Sequence, residues 1–137
     1  MRTARSFQCR PQAVTAARRF VRETLSGEGA DVIDAAELMT SELASNCVRH
    51  AGTGFEVSVG ARRAGGEIRV EVRDSGGGQP RALSPGPEEP SGRGLMIVEA
   101  MSDSWGVEHG RDGKTVWFTI ARAPAGALAP GSVSCAG

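Results

Sequence analysis

The hydrophobic spacing of this chain changes period once, and that change limits the fold more than any other feature. Between residues 11 and 50, apolar or small side chains recur every three or four positions: Val14, Ala17, Val21 and Leu25, then Ile33, Ala36, Thr40, Leu43 and Cys47. Such spacing lines them up on one face of a helix. After Ala51-Gly52-Thr53-Gly54 the repeat falls to two. Phe55, Val57 and Val59 alternate with Glu56 and Ser58, and Ile68, Val70 and Val72 alternate with Arg69, Glu71 and Arg73. That is the pattern of strands buried on one side. A sheet with one apolar face needs a cover, and amphipathic helices supply one. The expected fold is α+β: a two-layer sandwich with helices on one face of a mixed, mainly antiparallel sheet.

Local signals mark the boundaries. Pro11 suits the first position of a helix over 11–26, which Ser26-Gly27-Glu28-Gly29 stops. A longer helix is expected over 31–50. The turn Ala64-Gly65-Gly66 makes the first two strands a hairpin. Residues 75–91 are rich in glycine and carry four prolines, at 80, 85, 87 and 90, which predicts an irregular lid. A short helix over 94–101 follows, then a second hairpin, 104–109 and 114–121, around Gly110-Arg111-Asp112-Gly113. One domain is expected over 1–121. Residues 122–137, small and Pro/Gly-rich, read as a disordered tail.

Charge and cysteine content exclude several functions. The formal net charge is zero, with 16 basic and 16 acidic residues, so no basic excess draws the chain to nucleic acid or an anionic membrane. Three cysteines without a C-x-x-C pair fit neither a disulfide framework nor a structural zinc site, and they suit a reducing compartment. No apolar run approaches the ~20 residues of a membrane span, and Met1-Arg2-Thr3-Ala4-Arg5 leads into no apolar signal segment. A cytoplasmic, soluble chain is expected. Of the basic residues 15 are arginine, and Lys114 is the single lysine.

Three segments carry polar groups suited to chemistry. Glu42, Asn46 and His50 stand at i, i+4 and i+8, advancing only ~40° per step around a helix and sharing a face with Arg49. A carboxylate, a carboxamide and an imidazole in one line can orient water, hold a hard cation and meet a phosphate; the Asn46 oxygen suits Mg²⁺. Asp74-Ser75-Gly76-Gly77-Gly78 follows a strand, where an acid can accept from an exocyclic amine and glycines let backbone approach a flat ring. Gly92-Arg93-Gly94-Leu95 opens the short helix, where bare N–H groups favour anions. Each segment alone reads first as an ordinary polar helix face or a glycine turn. Two other motifs fail. Gly113-Lys114-Thr115 lacks the P-loop's earlier glycine, because position 108 is Glu, and Ile97 interrupts a G-x-G-x-x-G. His109 reads as an ordinary strand residue, and neither Ser91 nor Cys47 has the partners of a nucleophile.

Taken in order, the three segments resemble the boxes of the GHKL ATPase superfamily, whose fold is the two-layer Bergerat sandwich. Glu42-Leu43-Ala44-Ser45-Asn46-Cys47-Val48-Arg49-His50 resembles its N box, Asp74-x-Gly76-x-Gly78 its G1 box and Gly92-Arg93-Gly94-Leu95 its G2 box. The small size, the Arg18-Arg19-Phe20-Val21 helix and the segments Trp105-Gly106-Val107 and Gly113-Lys114-Thr115-Val116-Trp117-Phe118 are most similar to the bacterial anti-sigma-factor serine kinases, over about residues 6–121. The resemblance implies ATP and Mg²⁺ as cofactors. It makes Asn46 the metal ligand, Glu42 the general base and Asp74 the partner of the adenine amino group, with Gly76 and Gly78 shaping the pocket. Gly92, Arg93, Gly94 and Leu95 would cradle phosphates, with Arg49 or His50 assisting and Thr115 supporting the adenine end through water. It also implies a sigma factor and an anti-sigma antagonist as partners, and a homodimer.

This chain departs from the family at one place. A lid arginine usually precedes the Ser-Gly-x-Gly run, and here that place is Pro90. Nucleotide binding therefore follows more directly than phosphotransfer. Two readings stay open: a regulatory protein serine/threonine kinase, which Glu42 favours, and an ATP-gated partner-binding module with little or no catalysis, which Pro90 favours.

Overall fold

Each segment with a regular apolar repeat forms the element that its period predicts. The computed structural model describes residues 2–61, 66–74, 91–111 and 113–122, without the side chains of 50, 51 and 91–94. Helix α1 runs over Gln12–Thr24, directly after Pro11, whose φ of −56° already has the helical value. Its buried stripe is Ala13, Ala17, Phe20 and Val21. Helix α2 spans Ala30–Asn46 and buries Ala36, Met39, Thr40, Leu43 and Ala44. Asp31 in its first turn complements the helix dipole.

The long helix expected to reach His50 ends earlier. Cys47–Ala51 forms a π-helical turn, closed by the Gly52 N–H donating to the Cys47 carbonyl at 3.2 Å. Gly52 then leaves in the left-handed region, at φ 68°, which suits glycine. A hydrogen bond five residues back winds the chain more loosely than an α-helix. The ~40° step holds from Glu42 to Asn46, but it does not carry on to His50.

Strands β2 (Phe55–Ala61) and β3 (Glu67–Asp74) form the first hairpin, and β4 (Ser104–Gly110) and β5 (Gly113–Ala121) form the second. Helix α3, Ser91–Met101, precedes the second hairpin and begins three residues before its expected start. Sequence spacing gave no sign of β1, Arg2–Phe7, which pairs with β2 and makes the sheet five-stranded. The sheet order is β1-β2-β3-β5-β4. All four ladders are antiparallel, in keeping with the mainly antiparallel α+β sandwich expected, and the described sheet contains no parallel pair.

Register decides which side chains meet the helices. Val57 pairs with Val72 and Val59 with Val70, and the same rows continue to Val116 and Phe118 on β5. These residues are buried in one cluster with Phe20 and Val21 of α1, Met39 and Leu43 of α2 and Val98 of α3. Full burial of each such side chain stabilises by about 1.5–3 kcal/mol, which makes this cluster the main source of stability. Among the described residues the opposite face carries no helix. There the Arg69 guanidinium lies 4.2 Å from the Trp117 ring centre and its Nε donates to Glu71 at 2.8 Å.

The expected lid and the turn at Ala64-Gly65 lie outside the described residues, as does the tail beyond 122. Arg122, placed in the tail by its composition, belongs to the domain: its guanidinium reaches the Glu28 carboxylate at 3.1 Å.

Candidate functional site

One end of the sheet gathers polar groups below the last turn of α2. Asp74 is the last residue of β3 and falls on the helix-covered face, in step with Val70 and Val72. Only 7% of its surface is exposed. A carboxylate so placed needs hydrogen bonds, and the Lys114 backbone N–H donates to its Oδ1 at 3.1 Å. Among the described residues no donor reaches its other oxygen. Within the described residues one acceptor position at this strand end is thus unpaired.

Cys47, next to Asn46, ties this strand end to α2 electrostatically. Its thiol pKa is pushed up to about 12, first by burial and next by the Asp74 carboxylate, while the Lys114 ammonium pulls it back and Cys9 adds a small upward push. The acid and the cation therefore both lie within electrostatic reach of the turn that follows Asn46. Asn46 and Glu42, one turn apart, are half-buried, and Arg49 is exposed. The side chain of His50 lies outside the described residues.

Helix α3 packs against α2. Gly92, Arg93 and Gly94 form its first turn, where amide groups have no partner within the helix. Leu95, half-buried, packs against the core. The side chains of Arg93 and its neighbours lie outside the described residues, as do Gly76 and Gly78 in full. The structure thus brings the end of α2 to the end of β3 and packs α3 against α2.

Thr115 is not brought to this cluster. It pairs with Arg73 and Glu108, between the buried Val116 and Lys114, and alternation turns it to the uncovered face. Lys114, one residue earlier, shares the face of Asp74. The resemblance puts Thr115 at the adenine end, whereas the alternation of β5 puts Lys114, two residues before the core residue Val116, on that face.

An antiparallel sheet under three helices, with an acidic strand end beside the last turn of the longest helix, is the architecture of the GHKL ATP-binding domains. The sequence matches the histidine kinase-like ATPase domain over residues 7–120, and the chain belongs to that family. Among solved structures it is similar to the RsbU and RsbW domains of Rv1364c from Mycobacterium tuberculosis. The TM-score is 0.69 and the identity 23%, over 89% of this chain. The match takes in 32% of that longer chain, and at this identity it speaks for the fold. No curated protein matches the sequence.

Proposed function

We propose that this chain is an ATP-binding regulatory protein serine kinase of the anti-sigma type, which sequesters a sigma factor and phosphorylates an anti-sigma antagonist. The observation that carries the nucleotide reading is the buried Asp74 carboxylate, fixed by the Lys114 amide, with its other oxygen unpaired among the described residues. An acceptor held in this way reads the 6-amino group of adenine, and membership of an ATPase domain family supports that choice. Phosphates would then lie toward the amide groups at the start of α3, with Gly92, Arg93, Gly94 and Leu95 around them and Arg49 or His50 assisting. Gly76 and Gly78 would flank the base.

Asn46 is the proposed metal ligand. No group of three His, Cys, Asp or Glu side chains that could hold a metal occurs among the described residues. That suits Mg²⁺, which keeps several waters and relies on substrate phosphates with one or two protein oxygens. Mg²⁺ held there with the nucleotide would supply positive charge to offset that of the phosphate oxygens. Glu42, one turn before Asn46 on the same face, is the proposed base that takes the proton of the attacking serine hydroxyl. The chain would work in the cytoplasm as a homodimer, without a membrane or direct nucleic-acid partner. No described helix is long and apolar enough to cross a membrane.

Pro90, at the place of the family's lid arginine, favours a second reading: an ATP-gated partner-binding module with little or no kinase activity. Incubation with γ-labelled ATP and candidate antagonist proteins separates the two. Label on an antagonist serine supports the kinase, whereas ATP-dependent partner capture without label supports the module. Glu42→Ala should abolish labelling and leave nucleotide affinity nearly unchanged, while Asn46→Ala should weaken Mg-nucleotide binding. Full labelling by Glu42→Ala would remove that residue from the chemistry.

A further inference from the structure

Lys114 lies in the candidate site for a reason independent of the family motifs. The β3–β5 register pairs Val72 with Val116 and Arg73 with Thr115; one step further it sets Asp74 opposite Lys114. The hydrogen bond from the Lys114 N–H to Asp74 Oδ1 confirms that step. On the other side Lys114 pairs with His109 of β4. Phe55, Asp74, Lys114 and His109 thus form one row across the end of the sheet, one from each of four adjacent strands.

Strand alternation puts the Lys114 side chain on the helix-covered face, with Val116 and Phe118. The pull of its ammonium on the Cys47 thiol, which belongs to the helical layer, agrees with that placement. The side chain is exposed, and none of the four ion pairs among the described residues includes it. Lys114, with no ion-pair partner among the described residues, therefore stands beside the Asp74 oxygen to which no described donor reaches, one strand away, at about 5 Å between backbones.

We propose that Lys114 is a base-reading residue: its ammonium donates to a ring nitrogen flanking the 6-amino group of adenine while Asp74 accepts from that amino group. This rests on the nucleotide reading above and adds to it a specificity residue for the base. The chemistry matches because adenine offers a donor, its amino group, between two acceptors, N1 and N7. A carboxylate and an ammonium side by side are the complementary pair. The chain's single lysine would supply a direct charged contact, worth more than a neutral hydrogen bond.

The test compares ATP, 1-deaza-ATP and 7-deaza-ATP by calorimetry against the whole chain and two variants. Lys114→Met removes the charge but keeps the backbone N–H, so the hold on Asp74 survives, and Lys114→Arg keeps a cation donor. The unmodified chain should bind one of the two analogues about tenfold more weakly than ATP. Lys114→Met should bind ATP about tenfold more weakly and no longer distinguish it from that analogue; Lys114→Arg should still distinguish them. Melting without nucleotide checks that both variants fold. If Lys114→Met binds all three ligands like the unmodified chain, this inference falls and the nucleotide site stands. If the unmodified chain binds no ATP, both fall.

Discussion

Cys47 stands where a dry interior meets two opposite charges. Burial dominates, so its thiol keeps its proton up to a pH of about 12, against 9.0 for a free thiol. The sign of the linkage follows. A group whose pKa rises on folding contributes stability that is complete below the unfolded value and fades as pH climbs from about 9 toward 12. Near neutrality the practical consequence concerns reactivity, because only the thiolate attacks an alkylating agent. In the native protein at pH 8, iodoacetamide should modify the exposed Cys9 and spare Cys47, which should react only after denaturation. Peptide mass spectrometry reads both sites, and native alkylation of Cys47 would show that its thiol is not buried as described. The same scale shows what sequence can reveal of a site. The place of Asp74 at a strand end was legible because alternation stops there and glycines follow. The place of Lys114 beside it was not, because it depends on which strand lies next to β3, and Lys114 comes 40 residues later in the chain.

Among the elements, legibility follows burial. β2, β3 and β5 each bury one face against the helices, so their alternation survives in the sequence. β1 does not: Arg2-Thr3-Ala4-Arg5-Ser6 is exposed throughout and carries no apolar repeat. It is held by its ladder to β2 and by Phe7, whose ring stacks on Phe55 at 5.3 Å and meets Phe20 edge-on at 6.1 Å. The π turn was hidden for another reason, since a looser winding of five residues leaves no periodic trace. On the uncovered face a further contact depends on the absence of a side chain. Trp117 of β5 lies across its partner Gly106 of β4, and a Cβ there would stand 2.7 Å from the indole. Because Arg69 stacks on that ring, the indole cannot shift without losing the stack. Gly106→Ala should therefore cost about 1–3 kcal/mol, as overpacking does. Chemical denaturation should show a lower midpoint with an altered tryptophan emission; an unchanged midpoint would mean that the indole moves freely.

At the scale of the whole molecule, the parts of the candidate site belong to elements far apart in sequence. Asn46 ends α2, Asp74 ends β3 and Gly92 lies in the first turn of α3. A ligand that touches all three ties the helical layer to the sheet, and it can do so only in the folded chain. Binding must then raise stability, by roughly 2.7 kcal/mol at a hundred times the dissociation constant. For a domain of this length that corresponds to about 5–15 °C in melting temperature. Mg-ATP and Mg-ADP should both produce it, because the roles proposed for Asp74, Lys114 and Asn46 call only on the base and on groups that the two nucleotides share. With Pro90 in place of a lid arginine, little remains to favour the terminal phosphate, so the two affinities should differ by less than tenfold, or about 1.4 kcal/mol. Thermal melting at millimolar nucleotide and titration calorimetry measure both quantities. No shift with either nucleotide would remove ATP from the account of this chain, and a hundredfold preference for ATP would show that another cation, such as Arg81 or Arg93, meets the terminal phosphate.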